Sequence, residues 1–415
     1  MESSDPGISL YLHVPFCADK CLYCDFYSVP CHTVSPELQM QVVRETLRQA
    51  GAFLELRPPG ARIETLFMGG GTPSALPRDL LGELLGAFRD AHCSEWTIEA
   101  NPESLDDSFL DICNSSGATR LSVGIQSLRE DQLRLLKRPA TRRDTLAALE
   151  LVARRWKGDL SVDYITGIPL QTTRDVTEDI GILRDFGPTH FSLYQLTSEP
   201  GTELAAMVEE GRITLNTPDR DEELWFAGKE ALEAAGFRHY EISNFCLPGK
   251  ECRHNLRYWL LEPYLGVGPA AVSTLPAEPF SRALGGFPAG GTRSTVLRFS
   301  NPHDIHAFTR DPAGYWGMKV EEVAPKDFLL ETLMMGLRLR AGIPHAVFER
   351  RFSATFDGLF PGLWDSWVDR GLAAPAQSSL HLKDSGRMIL DRLLGDVVER
   401  LGSLDPGRLS VHWPY

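Results

Sequence analysis

Three cysteines, Cys17, Cys21 and Cys24, fall at C-x3-C-x2-C spacing in His13-Val14-Pro15-Phe16-Cys17-Ala18-Asp19-Lys20-Cys21-Leu22-Tyr23-Cys24-Asp25-Phe26. Thiols this close in one loop can converge on a single centre, and soft anionic sulfur selects zinc or an iron–sulfur cluster. A structural zinc would need a fourth ligand. Cys31 and His32 are at hand, but neither sits at a familiar finger spacing. A 4Fe-4S cluster held by three cysteines keeps one iron open to an outside molecule, and the spacing favours it. Downstream, Phe67-Met68-Gly69-Gly70-Gly71-Thr72-Pro73 ends another apolar run, where glycines let backbone approach a ligand closely. Glu99, Gln126 and Asp163 are polar residues at the ends of, or within, further strand-like runs.

The elements that must position these groups alternate. Strand-like runs cover Ser9 to Val14, Ile63 to Met68, Trp96 to Ala100, Arg120 to Ile125, Leu160 to Thr166 and His190 to Leu196. Helical patterns lie between them at Ser35 to Leu56, Arg78 to His92, Leu105 to Ser115 and Arg142 to Trp156. Leu38, Val42, Val43, Thr46, Leu47 and Ala50 share one face of the first helix. This alternation predicts an α/β fold with a parallel sheet and right-handed crossovers. Six units without two more imply an incomplete (β/α)6, TIM-like barrel. The chemistry-bearing residues follow strand C-termini, where such folds build their sites.

A helix over Arg220 to Ala235 and a strand over Arg238 to Ser243 follow, and Pro276 to Thr292 reads as a Gly/Pro-rich loop or linker. Beyond it the patterns turn helical, at Lys326 to Leu339, Pro344 to Arg351 and Leu363 to Arg370. Leu380 to Lys383 followed by a helix over Ser385 to Leu401 predicts a small winged-helix-like unit. The expected division is a partial barrel over 1–245, a connecting segment over 246–300 and a smaller, mostly helical C-terminal domain over 301–415.

The chain has 415 residues, 42 basic against 56 acidic side chains and a net charge of −14. So acidic a balance disfavours nucleic acid and anionic membranes as partners. No basic and apolar leader opens the sequence and no run of about 18 apolar residues occurs, so the expected location is cytoplasmic, with no membrane span. In a reducing compartment eight cysteines read as metal ligands or free thiols rather than disulfides.

The cysteine triad and glycine run resemble those of the radical S-adenosylmethionine (radical SAM) superfamily. There the triad ligates a 4Fe-4S cluster whose fourth iron chelates S-adenosyl-L-methionine, and an electron from the reduced cluster splits the sulfonium. The resemblance implies that Cys17, Cys21 and Cys24 are the metal ligands. It carries over Tyr11, Tyr23, Gly70, Gly71, Thr72, Glu99, Gln126, Arg138 and Asp163 as adenosylmethionine contacts. A ring of acceptors suits a ribose and a cationic sulfonium.

Arg120-Leu121-Ser122-Val123-Gly124-Ile125-Gln126-Ser127-Leu128, His190-Phe191-Ser192-Leu193-Tyr194-Gln195-Leu196 and Tyr240-Glu241-Ile242-Ser243-Asn244-Phe245 resemble the coproporphyrinogen III oxidase-like group. The oxidase type has a fourth cysteine two residues after the third and a longer N-terminal arm. Here that position is Phe26, and sixteen residues precede Cys17, which is the pattern of the HemW-type heme chaperones. The segment His254-Asn255-Leu256-Arg257-Tyr258-Trp259 is similar to that group's H-N-x-x-Y-W motif, which implies heme contact at His254, Tyr258 and Trp259. Read from the residues alone, His254 is more simply a core histidine beside packed aromatics. Val272 and Ala140 stand where such chains commonly carry histidine.

The resemblance therefore implies a heme chaperone: heme as bound cargo, an acceptor protein as partner and an electron donor if the cluster is reduced. Coproporphyrinogen dehydrogenase activity is not expected. The rival reading is a radical SAM enzyme acting on a tetrapyrrole, with Tyr194 and Gln195 on the substrate side.

Overall fold

The computed structural model describes residues 7–55, 61–277, 296–310, 316–404 and 409–413. Six strands run parallel in sequence order: β1 (Ile8–Val14), β2 (Ile63–Gly70), β3 (Glu95–Ala100), β4 (Arg120–Gln126), β5 (Asp159–Thr166) and β6 (His190–Gln195). Their bounds lie within a residue or two of the sequence expectation. The reason is plain in the side chains: Leu10 and Leu12, Leu66 and Met68, and Leu121 and Val123 alternate toward the surrounding helices and are buried. The helix Pro36–Glu55 answers with Val42, Val43, Ala50 and Phe53. Thr141 and Thr172 open two of the crossover helices as capping boxes with Asp144 and Asp175.

The sheet does not stop at six strands. Past β6 it continues antiparallel into β8 (Asn244–Cys246) and then β7 (Arg238–Glu241). On the other side β9 (Tyr264–Val267) pairs parallel with β1, so seven strands share one direction. β10 (Val272–Pro276), β11 (Val296–Ser300) and β12 (Lys319–Glu322) extend that edge antiparallel, to twelve strands among the described residues. Residues 246–300 thus supply a helix, Arg253–Trp259, and three strands of the sheet. Of the loop expected over Pro276 to Thr292, residues 278–292 lie outside the described residues.

A second core, built on Phe328, Leu333, Phe348, Phe352, Trp364 and Trp367, belongs to the helical C-terminal region. Ile343–Pro344 pairs with Ser379–Leu380 as a two-stranded ribbon. The single helix expected over Ser385 to Leu401 is two, Asp384–Arg387 and Leu390–Ser403, because the chain leaves helical geometry at Ile389. This region is tied to β7 by a hydrogen bond from Arg340 N to Tyr240 O (3.0 Å), and to the end of the helix Arg253–Trp259 by one from Arg351 Nη2 to Leu260 O (2.9 Å).

Candidate functional site

The three cysteines occupy the loop that leaves β1. Its two legs are stitched together, Phe16 and Cys17 pairing with Val29 and Pro30. His13 secures the far leg. Its Nε2–H donates to Tyr27 O (2.8 Å), leaving Nδ1 to accept from Tyr11 Oη (3.0 Å). Burial lowers the His13 pKa to about 4, so the ring is neutral and can fill both roles. Tyr27 Oη in turn accepts from Ile305 N (2.9 Å).

Cys17, Cys21 and Cys24 carry no disulfide and line one wall of a cavity of about 340 Å³ at the C-terminal ends of the strands. A multi-iron cluster seated against the wall is the centre that three such thiols fit. Burial pushes the Cys17 thiol up to about 11, so its deprotonation would accompany metal binding. Arg138 Nη1 donates to Cys21 Sγ (3.5 Å), placing a cation beside the thiol.

The glycine run forms the next wall, and Gly70 by its positive φ and Gly71 by its contact with backbone must be glycine. A Cβ on Gly69 would stand 2.5 Å from Glu99 Oε2, one on Gly70 (φ +107°) 2.4 Å from the His13 ring and one on Gly71 2.4 Å from Phe16 O. Gly70 N donates to Glu99 Oε2 (3.1 Å). Thr72 Oγ1 accepts from Asn101 Nδ2 (3.0 Å), and Asn101 Oδ1 accepts from Arg138 Nη2 (3.0 Å). Arg138 Nη2 also donates to Gly124 O (2.6 Å). Arg138 is thus pinned to the cysteine loop, to the turn after β3 and to β4, more than a helix C-terminus needs from a basic residue.

Tyr23, Gly70, Gly71, Thr72, Glu99, Gln126, Arg138 and Asp163 all line this cavity with the cysteines. Tyr11 does not; it lies behind the wall, on His13. Gln126 ends β4 at φ +68°, a left-handed conformation that turns the strand end. Burial, then the neighbouring Asp163, raises the Glu99 pKa to about 8; burial raises Asp163 to about 6. Two close acids in one buried site are a poor place for two negative charges and a good one for a cationic ligand. Asn101, Ser122 and His13 belong to the site but were not singled out from sequence. A polar residue inside a strand-to-Pro turn, as in Asn101-Pro102, was the available signal for the first.

His254, Tyr258 and Trp259 are together, on the helix Arg253–Trp259, but away from this cavity. That helix closes the opposite end of the barrel. Glu95 caps it, Oε1 accepting from His254 N (3.0 Å) and Oε2 from Arg253 N (3.1 Å). Glu95 also pairs with Arg120 at 3.2 Å, both side chains nearly inaccessible. Thr65 donates to Ser9 Oγ, so His254 Nδ1–H donates to Thr65 Oγ1 (2.8 Å). His254 Nε2 then carries the lone pair and has no partner among the described residues. The imidazole is 1% exposed, packed between Phe67 (ring centroids 5.1 Å) and Tyr258 (4.9 Å). Of the remaining thiols, Cys252 donates to Glu95 Oε1 (3.4 Å) and Cys31 to Ala75 O (3.9 Å). Ala140 is buried, and Val272 opens β10 opposite Ser300.

Comparison with known proteins agrees with this geometry. Residues 11–182 match the radical SAM superfamily and residues 323–389 the HemN C-terminal domain. The heme chaperone HemW of Bacillus subtilis is 29% identical over 93% of this chain and 98% of its own length. That of Synechocystis is 34% identical over 81% and 79%. The mitochondrial radical S-adenosyl methionine domain-containing protein 1 of Bos taurus is 32% identical over 96% and 90%. Among solved structures, coproporphyrinogen III oxidase (HemN) of Escherichia coli superposes with a TM-score of 0.73 at 18% identity, covering 94% of this chain and 90% of that one, a likeness of fold. By full-length similarity, and by a cysteine loop, glycine run and acid ring meeting in one cavity, the chain belongs to the HemW-type group of the radical SAM superfamily.

Proposed function

We propose that this protein binds heme and passes it to an acceptor protein, on a scaffold where Cys17, Cys21 and Cys24 hold a 4Fe-4S cluster and the adjoining cavity holds S-adenosylmethionine. The observation that carries the reading is similarity along nearly the whole chain to relatives named heme chaperones. The family implies the cluster and adenosylmethionine, and the cavity is consistent with both. Bound there, they supply a route for one electron to the sulfonium. The chain's own part is to hold the ligand: Glu99 and Asp163 offer acceptors to a cationic, hydroxyl-bearing molecule, and Thr72, Asn101 and Arg138 brace the wall. The proposed setting is the cytoplasm, with heme, a heme acceptor and an electron donor as partners and no nucleic acid. No helix among the described residues is long and apolar enough to cross a membrane.

Phe26 favours this over tetrapyrrole oxidation, since it occupies the place of the oxidase-type fourth cysteine. The test is anaerobic, cluster-loaded protein titrated with heme and then mixed with a heme-free acceptor. The expected result is a saturable Soret change followed by transfer. Stoichiometric deoxyadenosine tied to protoporphyrinogen formation, from coproporphyrinogen and reductant, would overturn it.

A further inference from the structure

The loop that carries the three cysteines leaves β1 directly, but its returning leg is brought back to the barrel by contacts of its own. Val29 and Pro30 are paired with Phe16 and Cys17. Nearer the third cysteine, Tyr27 is held at both ends. Its carbonyl accepts from His13 Nε2 (2.8 Å), and its phenol oxygen accepts from Ile305 N (2.9 Å), 278 residues further along the chain. Asp304 takes the next two N–H groups, His306 N (2.7 Å) and Ala307 N (3.2 Å), which leaves the Ile305 N–H to the loop. The His303 ring packs against the same phenol, with centroids 5.8 Å apart.

Ile305 belongs to a segment that is fastened independently of the loop. Gln49 Nε2 donates to Asn301 Oδ1 (2.8 Å) and Asn301 Nδ2 to Gly268 O (2.7 Å), both side chains buried. Ile305 and Phe308 lie in the main core, and Gln41 Nε2 donates to Thr309 O (3.3 Å). We infer that residues 301–309 are a latch on the cysteine loop, and that Tyr27 is the positioning residue through which the latch fixes Cys24 against the cluster. This rests on the reading of Cys17, Cys21 and Cys24 as cluster ligands. Cys24 stands three residues before Tyr27, and the backbone bond from its N to Cys21 O (3.3 Å) stays within the loop. Without the phenol contact the returning leg swings about His13 and the strand pair, and Cys24 swings with it. Such opening admits water and oxygen to the cluster, whose reduction potential follows solvent exposure and the hydrogen bonds around its sulfurs.

The experiment uses the full chain, reconstituted anaerobically, with loss of cluster absorbance followed after admission of air. Tyr27→Phe deletes the acceptor. Ile305→Pro deletes the donor: Asp304 is extended (φ −155°, ψ 118°), as a residue before proline prefers, and Ile305 is the first helical residue, where proline is tolerated. Each is expected to lose its cluster about fivefold faster than wild type, one neutral hydrogen bond's worth of extra opening. The double variant is no faster than the faster single, and Ile305→Val, which trims the same side chain but keeps the N–H, decays as wild type. Iron and sulfide after loading stay at the wild-type level, and the midpoint potential of the cluster shifts in the same direction in both single variants. The latch is overturned if Tyr27→Phe keeps a wild-type decay rate or a wild-type potential, if Ile305→Val decays as fast as Ile305→Pro, or if the two effects multiply in the double variant. Wild-type protein that takes up no iron and sulfide overturns the cluster reading itself, and the latch with it.

Discussion

Glu95→Ala tests the closed end of the barrel. In the native protein this carboxylate serves Arg120, the N–H groups of Arg253 and His254, and the Cys252 thiol, all within 3.0–3.4 Å. Truncation leaves the Arg120 guanidinium buried without its counter-charge, and removing one member of such a pair costs about 3–5 kcal/mol. With a urea dependence of about 3 kcal/mol/M, the unfolding midpoint should fall by roughly 1–1.7 M. Glu95→Gln keeps one acceptor oxygen, enough for one of the two helix N–H groups, and should fall between wild type and alanine. Replacing both partners, as Glu95→Leu with Arg120→Met, removes the stranded charge. It still leaves Lys250 O and Glu251 O without their donor, at about 1–3 kcal/mol. The double variant should therefore be more stable than Glu95→Ala alone. Urea unfolding followed by tryptophan fluorescence reads all three. A Glu95→Ala midpoint within about 0.3 M of wild type, or a double variant weaker than the single, would refute the assignment of Glu95 as the keystone of the barrel floor.

Three further outcomes are expected. Glu99 and Glu241 are both raised to about 8, chiefly by burial, and Asp163 to about 6. Four buried histidines, His13, His190, His239 and His254, are lowered by burial and offset this in acid; only above about pH 7 does the folded state bind more protons than the unfolded one, so ligand-free stability should decline as pH rises from about 7 to 9. Glu99→Gln should flatten that decline in thermal melts across pH, whereas a rise in wild-type stability over this range would contradict it. Gly71→Ala drives a Cβ into the Phe16 carbonyl, so iron incorporation and adenosylmethionine binding should fall together; wild-type iron content would count against the close approach. Cys17→Ser, Cys21→Ser and Cys24→Ser should each lose the cluster absorbance while Cys31→Ser and Cys113→Ser keep it, checked by iron and sulfide analysis.

The barrel was legible because its strands are short apolar runs bounded by Gly, Pro and Asn, and each is followed by a helix with one apolar face. The site was legible for the same reason: polar residues such as Glu99 and Asp163 interrupt runs that packing alone would fill with apolar side chains. What escaped were pairings that depend on distant partners. Nothing local to Tyr264–Val267 says that it will lie against β1, or that β8 and β7 will fold back antiparallel on β6. The environment of His254 was equally hidden, since its contacts Thr65, Phe67 and Glu95 come from strands far away in sequence. His13 was overlooked because its work is to bridge two tyrosines, Tyr11 and Tyr27, which no spacing rule joins.

The pairing of β1 with β9 has a consequence for synthesis. One edge of β1 waits for a partner about 250 residues behind it, which at about 5–20 residues per second is a delay of about 10–50 s. Throughout that interval Ser9 to Leu12 present unpaired backbone, and the cysteine loop hangs from the same strand. A nascent chain in this state needs shelter from aggregation and from oxidants, so cluster loading is best timed after the last barrel-floor residues have emerged.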